Sequence, residues 1–308
     1  MLVSASYKTD IPAFYSDWFL NRLDAGYCLM RNPYNGIVTR VELTRAAVDG
    51  FVFWTKNLGP FLPHLADVHR RGFPFIVQYT INGYPRALEV SALEAAKAAG
   101  HVHQVSDRFG HDTVVWRYDT ILVSSLTPVE FHLDNFARIA ESLRGYANEC
   151  VISFVQIYRK TRRNLDRAAA EEDFTWRAPT NEERHILLRE LLRIAKQNRM
   201  TLTICSQPEF AAHGVEEAHC IDAQRLSRIA GHTITAKLKG MRETCGCYQS
   251  KDIGDYDTCP HGCVYCYAVQ NRELAKRRYA AHDPKGELPF AAEPGVSAKP
   301  SHHIFTIK

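Results

Sequence analysis

No run of this sequence approaches the roughly 20 apolar residues needed to span a bilayer. Its opening, MLVSASYKTDIPAFY, lacks the basic stretch followed by an apolar one that directs secretion. A cytoplasmic protein with no membrane anchor is therefore expected. There is no GxGxxG and no GKS phosphate loop, the usual signatures of a nucleotide fold. Internal repeats are absent too. No excess of one charge dominates: the formal net charge of +4 permits a phosphate-bearing partner without requiring one. What the 308 residues do contain, 45% apolar and 23% charged, is enough to bury the core of one large α/β domain or of two small ones.

Short apolar, β-branched runs recur at 2–7, 50–55, 74–80, 113–119, 150–158 and 200–206. They are continuously apolar rather than alternating, as strands of a parallel sheet covered by helices are. Helix signals lie between them. TPVEFHLDNFARIAESLRGY predicts a helix capped by Thr127, with Pro128 and Glu130 completing a capping box; TNEERHILLRELLRIAKQNR repeats the device with Thr180 and Glu183. IPAFYSDWFLNRLDAG predicts one helix from Pro12 to Gly26, and FLPHLADVHRRG one ending at Gly72. Strand–helix repetition at this pitch predicts six βαβ units, arranged as a barrel or an open sheet. A hairpin is expected at 27–43, around Asn35-Gly36. The charged segment 159–180 is expected to be a long connection or lid, and the region rich in proline from Pro284 to Pro300 an irregular tail.

Nine cysteines in a reducing compartment point to metal ligands or buried thiols rather than disulfides. Cys28, Cys150, Cys205 and Cys220 are scattered and expected to be buried as small apolar residues. Cys245, Cys247, Cys259, Cys263 and Cys266 are clustered. The last three, in DTCPHGCVYCYA, are spaced C-x3-C-x2-C, and no fourth cysteine follows at matching spacing. Thiolates select zinc, copper(I) or iron–sulfur clusters. A structural zinc wants four ligands; three thiolates on a [4Fe–4S] cubane leave one iron open to a substrate or cofactor.

That motif, C-x3-C-x-Φ-C with Tyr265 as the aromatic Φ, resembles the signature of the radical S-adenosylmethionine superfamily. The segments ASYKTDIPAFY, FVFWTKN, YTINGY and WRYDTI are similar to parts of spore photoproduct lyase-like radical enzymes. With CGCYQSKDIGDYDTCPHGCVYCYA near its end, the chain resembles, over roughly residues 1 to 270, an uncharacterised bacterial family described as a domain of unknown function. The resemblance implies an α/β fold, a partial (β/α)6-type barrel like a TIM barrel over residues 1–240. In most of the superfamily the motif follows the first strand; here it comes last, which implies a circular permutation. A cysteine-rich iron–sulfur segment at 241–280 would complete the barrel, with the tail at 281–308. The resemblance implies a [4Fe–4S] cluster on Cys259, Cys263 and Cys266; Cys245 or Cys247 could complete a structural metal site with these three, hold a second metal site, or simply end a strand. Reductive cleavage of S-adenosyl-L-methionine to a 5′-deoxyadenosyl radical would follow, with a flavodoxin or ferredoxin as electron donor. Tyr265 would lie near the adenine. Polar residues at strand ends are the candidates for the methionine moiety: Thr9, Asp10, Lys56, Arg117, Gln156 and Glu209, with Asp10 or Glu209 facing the amine and Lys56 or Arg117 the carboxylate. Thr55, Asn57 and Asp119 share those ends. His132 and the pair His302–His303 lack ligand spacing. The alternative is a non-catalytic iron–sulfur or zinc protein that binds nucleic acid through the basic runs YRKTRR and AKRRY.

Overall fold

The computed structural model describes residues 1–33, 35–240 and 244–289. The chain opens with strand β1 (Leu2–Ala5), helices α1 (Ile11–Phe14) and α2 (Ser16–Ala25), and strands β2 (Tyr27–Arg31), β3 (Val38–Glu42) and β4 (Gly50–Thr55). Then come α3 (Leu65–Arg70), β5 (Phe75–Thr80), α4 (Ala95–Phe109), β6 (Val114–Ile121), β7 (Val123–Ser124) and α5 (Val129–Ser142). The second half has β8 (Glu149–Phe154), α6 (Arg159–Glu172), β9 (Trp176–Arg177), α7 (Asn181–Gln197) and β10 (Thr201–Ile204). It ends with β11 (Glu216–Glu217), α8 (Ala223–Ala230), β12 (Ser250–Asp252) and α9 (Arg272–Ala280).

Eight strands form one parallel sheet in the order β11-β10-β8-β6-β5-β4-β1-β12. All six expected strands are in it, in chain order. Alternate residues of each strand enter two separate cores, which is why the runs are apolar throughout. Val3, Phe51, Phe53, Val77, Trp116, Ile152 and Leu202 pack beneath helices α2 to α7. Leu2, Val52, Ile76, Val115 and Val151 pack on the other face, against α8 and the segment around Cys220 and Cys247. The fold is thus mixed α/β about a parallel sheet. Its edge strands β11 and β12 pair with one neighbour each among the described residues, so the sheet is not a closed barrel.

Several local expectations are corrected. β11 and β12 were not expected; Ser250, Lys251 and Asp252 have no apolar pattern, and only pairing with β1 makes them a strand. The segment from Pro12 to Gly26 is two helices, broken at Tyr15, whose hydroxyl leaves to donate to the Thr258 carbonyl. Thr127 does not cap α5: its hydroxyl donates to the Leu122 carbonyl at 2.8 Å, and Pro128 takes the cap position. The capping box of Thr180 and Glu183 on α7 is present. The expected lid at 159–180 is largely helix α6. The hairpin at 27–43 is β2 paired antiparallel with β3. The first part of the tail is docked, since Trp18 and Asn21 donate to the carbonyls of Gly286 and Pro284; His302 and His303 lie outside the described residues.

Candidate functional site

Asp252, at the end of β12, fastens the last strand to the first. Its carboxylate accepts from the hydroxyls of Ser4 and Ser6, both at 2.7 Å, and from the backbone of Tyr7 and Gly254 at 3.0 Å. Gly254 has to be glycine, because a Cβ there would stand 2.2 Å from Ser6 Oγ and 2.9 Å from Thr9 Cγ2. From this anchor the chain runs into the loop carrying Cys259, Cys263 and Cys266. Gly262, at φ +80°, gives that loop its turn, and a Cβ there would meet Arg272.

The loop lies across the C-terminal ends of β1, β4 and β5. Behind β1, His261 Nε2 is 2.8 Å from Asp10 Oδ2, which also accepts from Lys56 N at 2.8 Å; Asp10 Oδ1 caps α1. Behind β4, Lys56 Nζ pairs with Glu89 Oε1 at 2.8 Å. Glu89, in the loop after β5, also accepts from Asn82 at 2.8 Å and from the Tyr265 hydroxyl. Backbone bonds join the two loops: Val264 N donates to Leu88 O, and Ser91 N to His261 O. The motif is therefore held at both flanks of its central cysteine.

The charges are consistent with this packing. Burial pushes the Glu89 carboxyl up, but the Lys56 cation and the bonds from Lys56, Tyr265 and Asn82 outweigh it and hold the group below the usual carboxylate range. Burial pushes Lys56 down, but the Glu89 charge and then the Cys263 thiolate raise it overall. Burial raises all three thiols; Asp10 and then the other two thiols add to the rise at Cys259, and Glu89 and then Cys266 add to it at Cys263. Lys56 opposes that rise at Cys263 and the backbone N–H of Ala268 opposes it at Cys266. Three half-buried thiols on one cavity favour their anionic form only with a positive centre between them.

The three cysteines line one cavity of about 310 Å³, bounded by α6 through Asn164 and Arg167 and by the start of α9. Thr9 Oγ1 and His261 Nδ1 are buried with no hydrogen-bond partner among the described residues.

Of the expected site residues, Asp10, Lys56 and Tyr265 are brought together with the three cysteines, while Thr9 is buried beside Asp10 and close to Gly254. Asp10 is occupied by its cap, Lys56 N and His261, and Lys56 by Glu89, so both position the loop. Arg117 lies deeper, paired with Asp119, donating to Gln78 at 3.2 Å and to Cys220 Sγ at 2.9 Å. Its connection to the motif runs through Asp119 and Asn82. Gln156 is exposed and accepts from the Tyr158 hydroxyl; Glu209 is exposed on the short 3-10 helix 208–213. Cys245 and Cys247 stand with Cys220 and Cys205; of these two, expected to be buried apolar residues, Cys220 is buried and Cys205 partly exposed. His132 is a core histidine, bonded to the Tyr118 hydroxyl and Leu122 carbonyl. Glu89 and His261 were missed. His261 lies inside the quoted motif, and Glu89 is the only carboxylate in the stretch between β5 and residue 93.

Among the described residues no three His, Cys, Asp or Glu side chains converge on a single ion position. No described helix is long and apolar enough to cross a membrane. The sequence model of one family, described as a domain of unknown function (DUF1848), matches residues 2–268, nearly the whole chain. No curated protein and no solved structure matches.

Proposed function

We propose that this chain, which belongs to the DUF1848 family, is a radical S-adenosylmethionine enzyme that holds a [4Fe–4S] cluster on Cys259, Cys263 and Cys266. The observation that carries the reading is three half-buried thiols of one C-x3-C-x2-C loop, opening on a shared cavity at the C-terminal ends of parallel strands. That rim is where barrel-type folds keep their chemistry. The cysteines that could have completed a closed metal site, Cys245 and Cys247, are engaged with each other and with Cys220. His261 is engaged with Asp10. Three thiolates and no fourth suit a cluster with an exchangeable position.

When bound, such a cluster supplies a coordination position for the amino and carboxylate groups of S-adenosylmethionine and the electron for its reductive cleavage. The chain's own contribution is positional. Asp10 and Asp252 tie the loop to the strand ends, and Glu89 and Lys56 fix its middle through Tyr265. His261 Nδ1, on the cavity wall, is a buried polar atom with no partner among the described residues and is left to face a ligand. The sheet face opposite α2 to α7 turns polar toward those ends, with Trp54, Gln78, Arg117, Asp119 and Ser153; we take this as the substrate's side. Strands in chain order with six helices, α2 to α7, on one face support a partial barrel, and β12, the strand preceding the motif, sits beside β1. A flavodoxin or ferredoxin would deliver the electron.

The test is anaerobic reconstitution with iron and sulfide, then incubation with S-adenosylmethionine and dithionite. 5′-Deoxyadenosine should form, and S-adenosylmethionine should change the electron paramagnetic resonance spectrum of the reduced cluster. A cluster whose spectrum ignores S-adenosylmethionine and yields no 5′-deoxyadenosine overturns the proposal.

A further inference from the structure

Four cysteines outside the motif, drawn from three parts of the chain, meet at one place. Cys205 directly follows β10, Cys220 follows β11, and Cys245 and Cys247 bracket Gly246 ahead of β12. Cys220 Sγ is 3.6 Å from Cys205 Sγ. Cys247 hydrogen-bonds through its side chain to Cys220 on one side and to Cys245 on the other. All four are thiols; none is in a disulfide.

Two donors face these sulfurs. The backbone N–H of Ile221 donates to Cys247 Sγ at 3.4 Å, and Arg117 Nη1 to Cys220 Sγ at 2.9 Å. Arg117 is 4% exposed and shares its charge between Cys220 and its carboxylate partner Asp119. Gly246 is the tight middle of the Cys-Gly-Cys turn: a Cβ there would stand 2.8 Å from Glu217 Oε1 and 3.2 Å from His219 Cε1. Tyr248 N donates to Ile221 O, Lys239 N to Cys247 O and Thr244 Oγ1 to Ser206 O, so the backbones that carry the thiols are fixed to one another.

We propose that Cys205, Cys220, Cys245 and Cys247 are the four ligands of a second centre for a soft metal, closed by thiolates and distinct from the cavity of Cys259, Cys263 and Cys266. Adjacent sulfurs around one tetrahedral ion stand about 3.8 Å apart, given a metal–sulfur bond of about 2.3 Å. The Cys205–Cys220 separation of 3.6 Å already matches such an edge. The sulfurs run as a chain and no three of them converge on one ion position, so binding includes rotation of the cysteine side chains. Four thiolates with a divalent ion, or with a [4Fe–4S]2+ cluster, carry a net charge of −2, and Arg117 lowers it locally. Such a centre would hold the open edge of the sheet, at β10 and β11, to the segment that leads into β12. It takes part in no step of the proposed chemistry.

The test uses the full chain with Cys259, Cys263 and Cys266 all replaced by serine, so that failure of the first site has no bearing on the second. After purification without added metal, bound zinc, iron and acid-labile sulfide are measured. About one zinc per chain without sulfide identifies a single ion, and iron with equivalent sulfide a cluster; both support the four-thiolate centre. Adding Cys205→Ser, Cys220→Ser, Cys245→Ser or Cys247→Ser should weaken metal retention against a competing chelator at least as much as the roughly 10–100-fold typical of losing a ligand's supporting group. In case a variant does not fold, the wild-type chain is alkylated with and without chelator: Cys205 and Cys245, both partly exposed, should be protected only when metal is bound. Absence of metal together with unprotected thiols overturns the proposal. So does full metal retention in any one of the four variants.

Discussion

Glu89 offers the sharpest test of how the motif is held. It is 3% exposed and pairs with Lys56, itself 14% exposed, at 2.8 Å. Glu89→Gln keeps the shape and removes the charge. Breaking a buried pair by removing one partner costs about 3–5 kcal/mol, because the other charge stays buried. At about 2 °C per kcal/mol for a chain of this size, the melting temperature should fall by about 6–10 °C. The pH dependence follows from the two directions. Glu89 lies below its ordinary value, so its contribution is complete above about pH 4.3 and fades as pH falls through the folded value. Lys56 lies above its ordinary value, so its contribution is complete below about pH 10.4 and fades as pH rises through the folded value. Between those limits the intact pair adds no slope. In Glu89→Gln, burial without the Glu89 counter-charge drives Lys56 down. The unfolded state then binds more protons, and the variant recovers stability from pH 7 to 9. Lys56→Met combined with Glu89→Gln should melt above Glu89→Gln alone. Circular dichroism melts of the three proteins at pH 7 and 9 suffice. A single variant that melts with the wild type, or a double variant that melts lower still, refutes the reasoning.

Cys259→Ala, Cys263→Ala and Cys266→Ala should each lose the reconstituted iron chromophore; a full cluster in any one would remove that residue from the ligand set. Tyr265→Phe should cost about 1–3 kcal/mol, since Glu89 loses a buried donor, and should weaken S-adenosylmethionine binding while sparing iron content, checked by calorimetry and iron assay. Gly254→Ala forces a Cβ to within 2.2 Å of Ser6 Oγ; an overpacking cost of about 1–3 kcal/mol should appear in a denaturant melt and be largely relieved by adding Ser6→Gly. His132 is held neutral, its pKa pushed down to about 4 by burial against a smaller opposing bond from Leu122. The unfolded state therefore binds the extra proton, and stability falls as pH drops from about 6.5 to about 4, by about 2–4 kcal/mol. His132→Gln should flatten that limb, and an unchanged slope would show that another group sets it.

The strands were legible because each faces two cores and is apolar on both sides, as at Phe51–Phe53 and Val114–Trp116. The motif cysteines were legible from spacing alone. β12 was not, since Ser250–Asp252 earns its place through pairing with β1 and through the bonds of Asp252, and neither leaves a mark on hydrophobicity. Thr127 misled because a threonine before proline also suits a hydroxyl that bonds back to Leu122. Cys205 and Cys220 read as core residues; their meeting with Cys245 and Cys247 depends on β10 and β11 forming the far edge of the sheet. Glu89 was hidden in a loop whose neighbours carry no periodic signal.

The bond between the first strand and the last also orders events during synthesis. Leu2–Ser4 emerges early, but its partner Ser250–Asp252 is about 250 residues away. At roughly 5–20 residues per second the ribosome needs on the order of ten to fifty seconds to supply it. Through that interval one edge of β1 is unpaired, an invitation to intermolecular strand addition, and Ser4, Ser6 and Tyr7 have no Asp252 to hold them. The cysteine loop follows β12 immediately, so its thiols reach the strand ends only after the rest of the sheet has been made. If the loop takes up the proposed cluster, loading would come only after β1 to β11 have been made, and iron starvation should leave a chain whose sheet is largely formed but whose first strand is the least protected against hydrogen exchange.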